Sequence, residues 1–390
     1  MRRKVSAIFS LFSLLIGMII ALPPIVLLQW SVQLAATEIS WLSTLAGAVA
    51  VLIRPRHWRT VLVSLLGIWL STGPYRQFRQ AVRQNDLELR ASLGASYLDN
   101  IPQAVRSQLQ QKPLSLRRFF YLNLKSTQAE VIRDVPYLDV ETRTLVMDIY
   151  KPNKPSIRPE GYPCVVTIHG GSWRSGDKGQ YFADAYRRMA DQGYMVFDIQ
   201  YRFSQEARWP AQHEDVANAL RWVAKHATEY GGDKDCLALM GRSAGGFLAL
   251  HGAYRSVPEV KVKAVIAAYA PVDLRLWPMN PGSVGVLLMG GVPHEMPERY
   301  YDSAVTTHLH KDCPPTLLLH GGKDSVVPIL HSQVLQQSLE QVGVTCALID
   351  VPWGQHGFDG NTNGLGAQLA QYYLDRFLAW TMYNGAMPMD

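Results

Sequence analysis

The chain has 390 residues, of which 48% are hydrophobic and 18% charged, with a formal net charge of +6. So apolar a composition excludes a disordered protein, and the length exceeds one minimal domain. Apart from clusters near the N-terminus, Lys and Arg are dispersed and form no basic stripe with interleaved aromatics, which disfavours nucleic-acid binding; positive charge beside apolar segments suits a membrane surface instead.

Residues 1–74 are expected to be membrane-anchoring helices. The opening "MRRKVSAIFSLFSLLIGMIIALPPIVLLQW" carries Arg2, Arg3 and Lys4 and then runs apolar to Trp30. That is longer than the apolar core of a cleavable signal peptide and covers the roughly 20 residues a transmembrane helix needs. Two shorter apolar stretches, 39–53 and 61–73, flank "RPRHWR". They read as two marginal spans, one span with an interfacial helix, or a hairpin packed on the first helix; buried helices of a soluble domain are the alternative. Arg2, Arg3, Lys4, Arg54, Arg56 and Arg59 suit the cytoplasmic side. The domain that follows is extracytoplasmic if the third stretch spans, against which Arg76, Arg79, Arg83 and Arg90 count, and cytoplasmic if it does not. Residues 75–128 place Arg, Gln and Leu at helical spacing, an amphipathic helical linker that is either solvated or bound to anionic lipid.

Residues 129–390 read as one α/β domain. "AEVIRDVPYLDV" and "RTLVMDIYKP" form an antiparallel opening pair. Apolar strands at 164–171, 194–202, 236–243, 262–270, 315–322 and 345–352 then alternate with helical patterns such as "AQHEDVANALRWVAKHATEYG" and "ILHSQVLQQSLEQVG". Continuous apolar strands between helices predict a mostly parallel central sheet with helices on both faces and right-handed crossovers. The Pro-, Gly- and Met-rich stretch from about 274 to 300 reads as an insertion bordering the site. Cys164, Cys236, Cys313 and Cys346 form no C-x-x-C pair and lack histidines at zinc-site spacing, so they read as buried thiols and no metal is expected.

Within that domain, Gly241-Arg242-Ser243-Ala244-Gly245 follows an apolar strand and precedes a helical run. This is the setting of a nucleophile elbow, in which glycines relieve a strained turn and the following helix aims its N-terminus at the reacting oxygen. A serine hydroxyl needs a base, and in this order of elements an acid and then a histidine should follow. Asp324 lies in the loop after one strand and His356 in the loop after the last, at the carboxyl ends where open α/β sheets build their sites. Asp273, Asp350 and Asp359 compete for the acid, and Asp324 is preferred for its place after the penultimate strand. His320 competes for the base, with packing or a turn hydrogen bond as its expected job. "HGGSW", residues 169–173, supplies a glycine loop, so the N–H groups of Gly170, Gly171 and Ala244 are the expected oxyanion donors. Trp173, Arg174 and Trp209 are expected to border the substrate pocket.

Over residues 130–385 the chain resembles α/β-hydrolases of the hormone-sensitive-lipase-like and feruloyl-esterase-like branch. The likeness is carried by "HGGSWRSGDK", "WPAQHEDVANALRWV", "YGGDKDCLALMGRSAGG", "APVDL", "HGGKDSVVP" and "GQHGF". It implies a cofactor-independent carboxylic-ester hydrolase with Ser243 as nucleophile, His356 as general base and Asp324 as its orienting acid. It also implies structural duty for Asp215 and Asp233. Arg242 departs from the Asp, Glu, Gln or His common in relatives, and Ser172 from a third glycine. The expected substrate is a small-molecule or lipid ester. An amidase or peptidase on the same triad and a non-catalytic membrane scaffold are the alternatives. A transporter is excluded by the small apolar region.

Overall fold

The computed structural model describes residues 2–23, 29–120, 128–255, 257–277 and 282–383. The apolar run between Pro24 and Leu28 and residues 278–281 of the insertion lie outside the described residues.

The first four helices are α1 (Arg2–Ala21), α2 (Gln29–Glu38), α3 (Ser40–Ile53) and α4 (Trp58–Ser71). Helices α1, α3 and α4 pack as a bundle whose interior is small and polar. Ser6, Ser10, Ser13, Gly17, Ser43, Gly47, Ser64, Gly67 and Ser71 face inward. Ser10 Oγ and Ser64 Oγ lie 2.8 Å apart and Ser43 Oγ and Ser71 Oγ 2.7 Å apart, while Ser6 Oγ donates to the Ala50 carbonyl at 3.0 Å. The exterior is aliphatic: Ile8 is 62% exposed, Leu11 61%, Leu15 57% and Leu62 58%. A Cβ on Gly67 would stand 2.6 Å from the backbone of Ser13 and Leu14, so glycine there sets how closely α4 approaches α1.

Next come α5 (Gly73–Leu93) and the single turns α6 (Gln103–Arg106) and α7 (Leu116–Phe119). The amphipathic pattern from residue 75 does form a helix, but one docked on the sheet rather than solvated. Leu89 is fully buried, Asn85 exchanges hydrogen bonds with the Asp350 backbone, and the Glu88 carboxylate accepts from the Leu348 N–H. Residues 121–127 of the expected linker lie outside the described residues.

Eight strands follow: β1 (Glu130–Val140), β2 (Arg143–Lys151), β3 (Tyr162–Ile168), β4 (Met195–Ile199), β5 (Gly232–Arg242), β6 (Val262–Ala268), β7 (Thr316–Gly321) and β8 (Cys346–Val351). They form one sheet of order β1-β2-β4-β3-β5-β6-β7-β8, antiparallel for β1-β2 and β2-β4 and parallel from β4 to β8. The remaining helices are α8 (Ala183–Asp191), α9 (Ala211–His226), α10 (Ala244–Tyr254), α11 (Val284–Met289), α12 (Pro297–Ser303), α13 (Leu330–Gln341) and α14 (Leu365–Tyr383). Alternate strand residues feed two cores. Val166, Leu239 and Leu318 pack with α9, α10 and α13 on one face, whereas Val165, Ala238, Leu317 and Leu319 pack with α5, α8 and α14 on the other. All four cysteines are free and buried, and among the described residues no cluster could hold a metal ion.

Candidate active site

Ser243 sits between β5 and α10 with φ 53° and ψ −122°. A non-glycine residue held there costs about 1–3 kcal/mol, so the surrounding structure must impose the turn. The flanking glycines show how. A Cβ on Gly241 would lie 2.0 Å from the Gly245 carbonyl oxygen, and one on Gly245 2.1 Å from that of Ile168. Only glycine allows β5, β3 and the start of α10 to come this close. The sharp turn lifts the Ser243 side chain clear of the strand and leaves the Ala244 N–H at the free N-terminal end of α10.

Three side chains from three loops then meet. His356, in the loop after β8, has Nε2 2.8 Å from Ser243 Oγ and Nδ1 2.8 Å from Asp324 Oδ2. Asp324, in the turn after β7, has its other oxygen filled by the N–H groups of Val326 at 2.9 Å and Val327 at 2.8 Å. A carboxylate only accepts, so the Nδ1 of His356 carries the proton and Nε2 is left to accept from the serine hydroxyl. Asp324 is buried and His356 nearly so, which strengthens these bonds by excluding water.

The competing residues are engaged elsewhere. His320 bonds Ser332 Oγ through Nδ1 at 2.7 Å and the Val327 carbonyl through Nε2 at 2.8 Å, and burial holds its pKa below the usual histidine range. Asp273 pairs with Arg275 at 2.6 Å, while Asp215 and Asp233, expected to be structural, pair with Arg202 at 2.7 Å and Arg158 at 2.8 Å. Asp350 lies within β8, where burial pushes its carboxyl up to about 6.

Gly170 packs directly on Ser243, since a Cβ there would touch Ser243 Cβ at 3.4 Å. Gly171 has φ +118°, and a Cβ on it would meet the Ser175 carbonyl oxygen at 1.9 Å. His169 anchors the start of this loop. Its Nδ1 donates to the Gly170 carbonyl at 2.7 Å, its ring stacks 4.4 Å from Tyr201, and burial lowers its pKa to about 4. Of the three expected pocket residues, Trp173 and Trp209 are fully buried against Phe247, and Trp209 Nε1 donates to Asp302 at 2.9 Å. Arg174 is exposed. Packing therefore occupies both tryptophan rings.

Sequence reasoning passed over several neighbours of His356. Tyr269 contacts its ring at a centroid distance of 4.8 Å, and the Tyr269 hydroxyl donates to Asp359 at 2.6 Å. Asp359 also receives Arg242 Nε at 2.7 Å. Burial works against the Arg242 cation, but Asp359 together with Tyr186 and Tyr269 outweighs it and the pKa is raised. The unusual residue inside the elbow therefore ties it to the loop that bears His356. Trp30 of α2 meets the same imidazole edge to face, with centroids 6.0 Å apart.

A mostly parallel sheet, a glycine-bounded serine turn after β5, and a carboxylate and an imidazole in the loops after β7 and β8 give the arrangement of the α/β-hydrolase fold. The domain after the N-terminal helices has that fold, and residues 147–339 match the BD-FAE family model. Among curated proteins, the probable carboxylic ester hydrolase LipM of Mycobacterium tuberculosis is 33% identical over 213 residues, 50% of this chain and 49% of its own length. Esterase LipQ of the same organism is 28% identical over 247 residues, 58% and 57% of the two chains. The chain spans about half the length of the curated relatives it matches. A solved structure of Thermogutta terrifontis esterase 2 phosphoramylated by tabun superposes with a TM-score of 0.53 at 25% identity, over 65% of this chain and 95% of that one.

Proposed function

We propose that this protein is a membrane-anchored serine hydrolase of carboxylic esters. The observation that carries the reading is the unbroken line from Ser243 Oγ through His356 to Asp324, each link 2.8 Å long. His356 Nε2 takes the hydroxyl proton as Ser243 attacks the ester carbonyl. The N–H groups of Gly170, Gly171 and Ala244 receive the oxyanion, and removing one such donor typically costs about 10²- to 10³-fold in rate. His356 then returns the proton to the departing alcohol, and water admitted to the same base hydrolyses the acyl-enzyme. Asp324 holds the imidazole in its Nδ1–H form throughout. Similarity to the probable carboxylic ester hydrolase LipM and to esterase LipQ supports an ester rather than an amide as substrate.

Support for the anchor comes from the inverted bundle. Helix α1 is long and apolar enough to cross a bilayer, and only 28% of its most apolar 18-residue window is buried. Water would drive Leu11, Leu15 and Leu62 inward, whereas lipid leaves them outside and lets small residues bring helices together. The bond from Ser6 to Ala50 sets the basic N-terminus of α1 beside the end of α3, where Arg54, Arg56 and Arg59 follow. At the opposite end Ser40 Oγ bonds Tyr75 Oη of α5 at 2.9 Å, and α5 leads to the hydrolase. With the basic end cytoplasmic, one crossing by α1 and a returning α3–α4 hairpin leave the hydrolase on the far side of the membrane.

The test is hydrolysis by the full chain in detergent micelles of p-nitrophenyl esters of increasing acyl length, beside matched p-nitroanilides. The ester reading predicts turnover of the esters with little cleavage of the anilides. Faster cleavage of the anilides would point to an amidase, and no turnover of either to a scaffold.

A further inference from the structure

We infer that α2 is a working part of the active site: Trp30 and Gln33 position His356, so the N-terminal arm does more than tether the hydrolase. The inference rests on the reading of Ser243, His356 and Asp324 as a triad.

One face of α2, through Trp30, Gln33 and Leu34, lies against the loop after β8 that carries His356. That stretch, from Pro352 to Gly364, has no helix or strand to fix it. Its geometry therefore depends on what it touches. Gln33 is 2% exposed and makes two bonds: its carbonyl accepts from Gln355 Nε2 at 2.6 Å and its amide donates to the Leu22 carbonyl at 2.5 Å. Gln33 thus joins the end of α1 to the residue directly before the base. A parallel link reaches the acid, because Lys323 Nζ donates to the Ile20 carbonyl at 2.9 Å and Lys323 directly precedes Asp324. Farther along α2, the Glu38 carboxylate accepts from Asn361 Nδ2 in the same loop. Trp30 closes one side of the His356 ring and Tyr269 contacts it as well. The residues before both the acid and the base are held by the arm, so a shift of the arm moves the relay.

The opposite face of α2 shows Val32 at 50% exposure and is free of these contacts. It therefore supplies the control. The full chain is purified in detergent micelles as wild type, Trp30→Ala, Trp30→Phe, Gln33→Leu and Val32→Ala. Kinetic constants are measured on p-nitrophenyl acetate at a temperature where circular dichroism shows each variant folded. Misplacing a catalytic group by about 1 Å can cost 10²-fold, and the expected loss of kcat is about 10-fold or more in Trp30→Ala and Gln33→Leu. KM should stay within about two-fold, Trp30→Phe should recover most of the loss, and Val32→Ala should match wild type. A merely structural contact would lower the melting temperature and leave kcat alone. Should Trp30→Ala not fold, Gln33→Leu carries the same test, since it keeps side-chain volume and removes only the bonds. Folded variants with wild-type kcat would overturn the inference while leaving the triad standing. A wild-type chain without esterase activity would overturn both.

Discussion

The two regions of this molecule bury opposite kinds of side chain. Around the sheet, Val166, Leu239, Ile266 and Leu318 are inside; in the bundle of α1, α3 and α4 the interior is mostly small and polar, with Ser10, Ser13, Ser43, Ser64 and Gly67 beside Ile16 and Ile20, and Leu11, Leu15, Leu62 and Leu65 are outside. With the proposed membrane anchoring, one physical rule accounts for both. Apolar surface is hidden where the surroundings are water, and nothing is gained by hiding it where they are hydrocarbon, so close backbone approach and serine hydrogen bonds remain to hold helices together. On that reading solvent, rather than residue type, decides what counts as a core.

The largest expected effect lies in the chemistry at the carboxyl ends of the strands. Replacing Asp324 with Asn keeps the shape of the turn but removes the acceptor that fixes the His356 tautomer. Loss of that acceptor is expected to lower kcat by about 10⁴-fold. Steady-state hydrolysis of a p-nitrophenyl ester measures it, with unchanged far-ultraviolet circular dichroism as the check on folding. A loss below ten-fold would mean that another carboxylate serves His356.

A smaller effect sharpens the contrast within the bundle. Gly67→Ala forces a methyl group against the backbone of Ser13 and Leu14 at 2.6 Å and should destabilise the bundle by about 1–3 kcal/mol. Leu62→Ala removes a larger, exposed side chain and should change stability by no more than about 0.5 kcal/mol. Thermal unfolding in detergent micelles compares the two. If the leucine mattered more than the glycine, the bundle would be an ordinary water-soluble one.

Much of the site was legible because its demands are local. Gly241 and Gly245 stand where any Cβ would strike a carbonyl oxygen, so the five-residue pattern around Ser243 reports a real steric constraint. The order of Asp324 and His356 followed from strands whose carboxyl ends share one edge, and the strand stretches were marked by unbroken apolar runs. Contacts between distant segments were harder to see. Nothing around residue 30 marks it as a neighbour of residue 356, because that pairing depends on how α2 docks. The same holds for α5. Its helical periodicity was plain, but a polar, Arg-rich face concealed that Leu89 and Ala81 enter the core and that Asn85 and Glu88 bond β8. The serine face of α1 is readable in the spacing of Ser6, Ser10, Ser13 and Gly17, a signal of small residues rather than apolar ones.

The most direct measurement is covalent capture of the nucleophile. The full chain in micelles, treated with a fluorophosphonate, should carry one adduct, and mass spectrometry of the digest should place it on Ser243. His356→Ala, folded but without the base, should react far more slowly under the same conditions. An adduct on another residue, or equal labelling of wild type and His356→Ala, would contradict a relay running from Ser243 through His356 to Asp324.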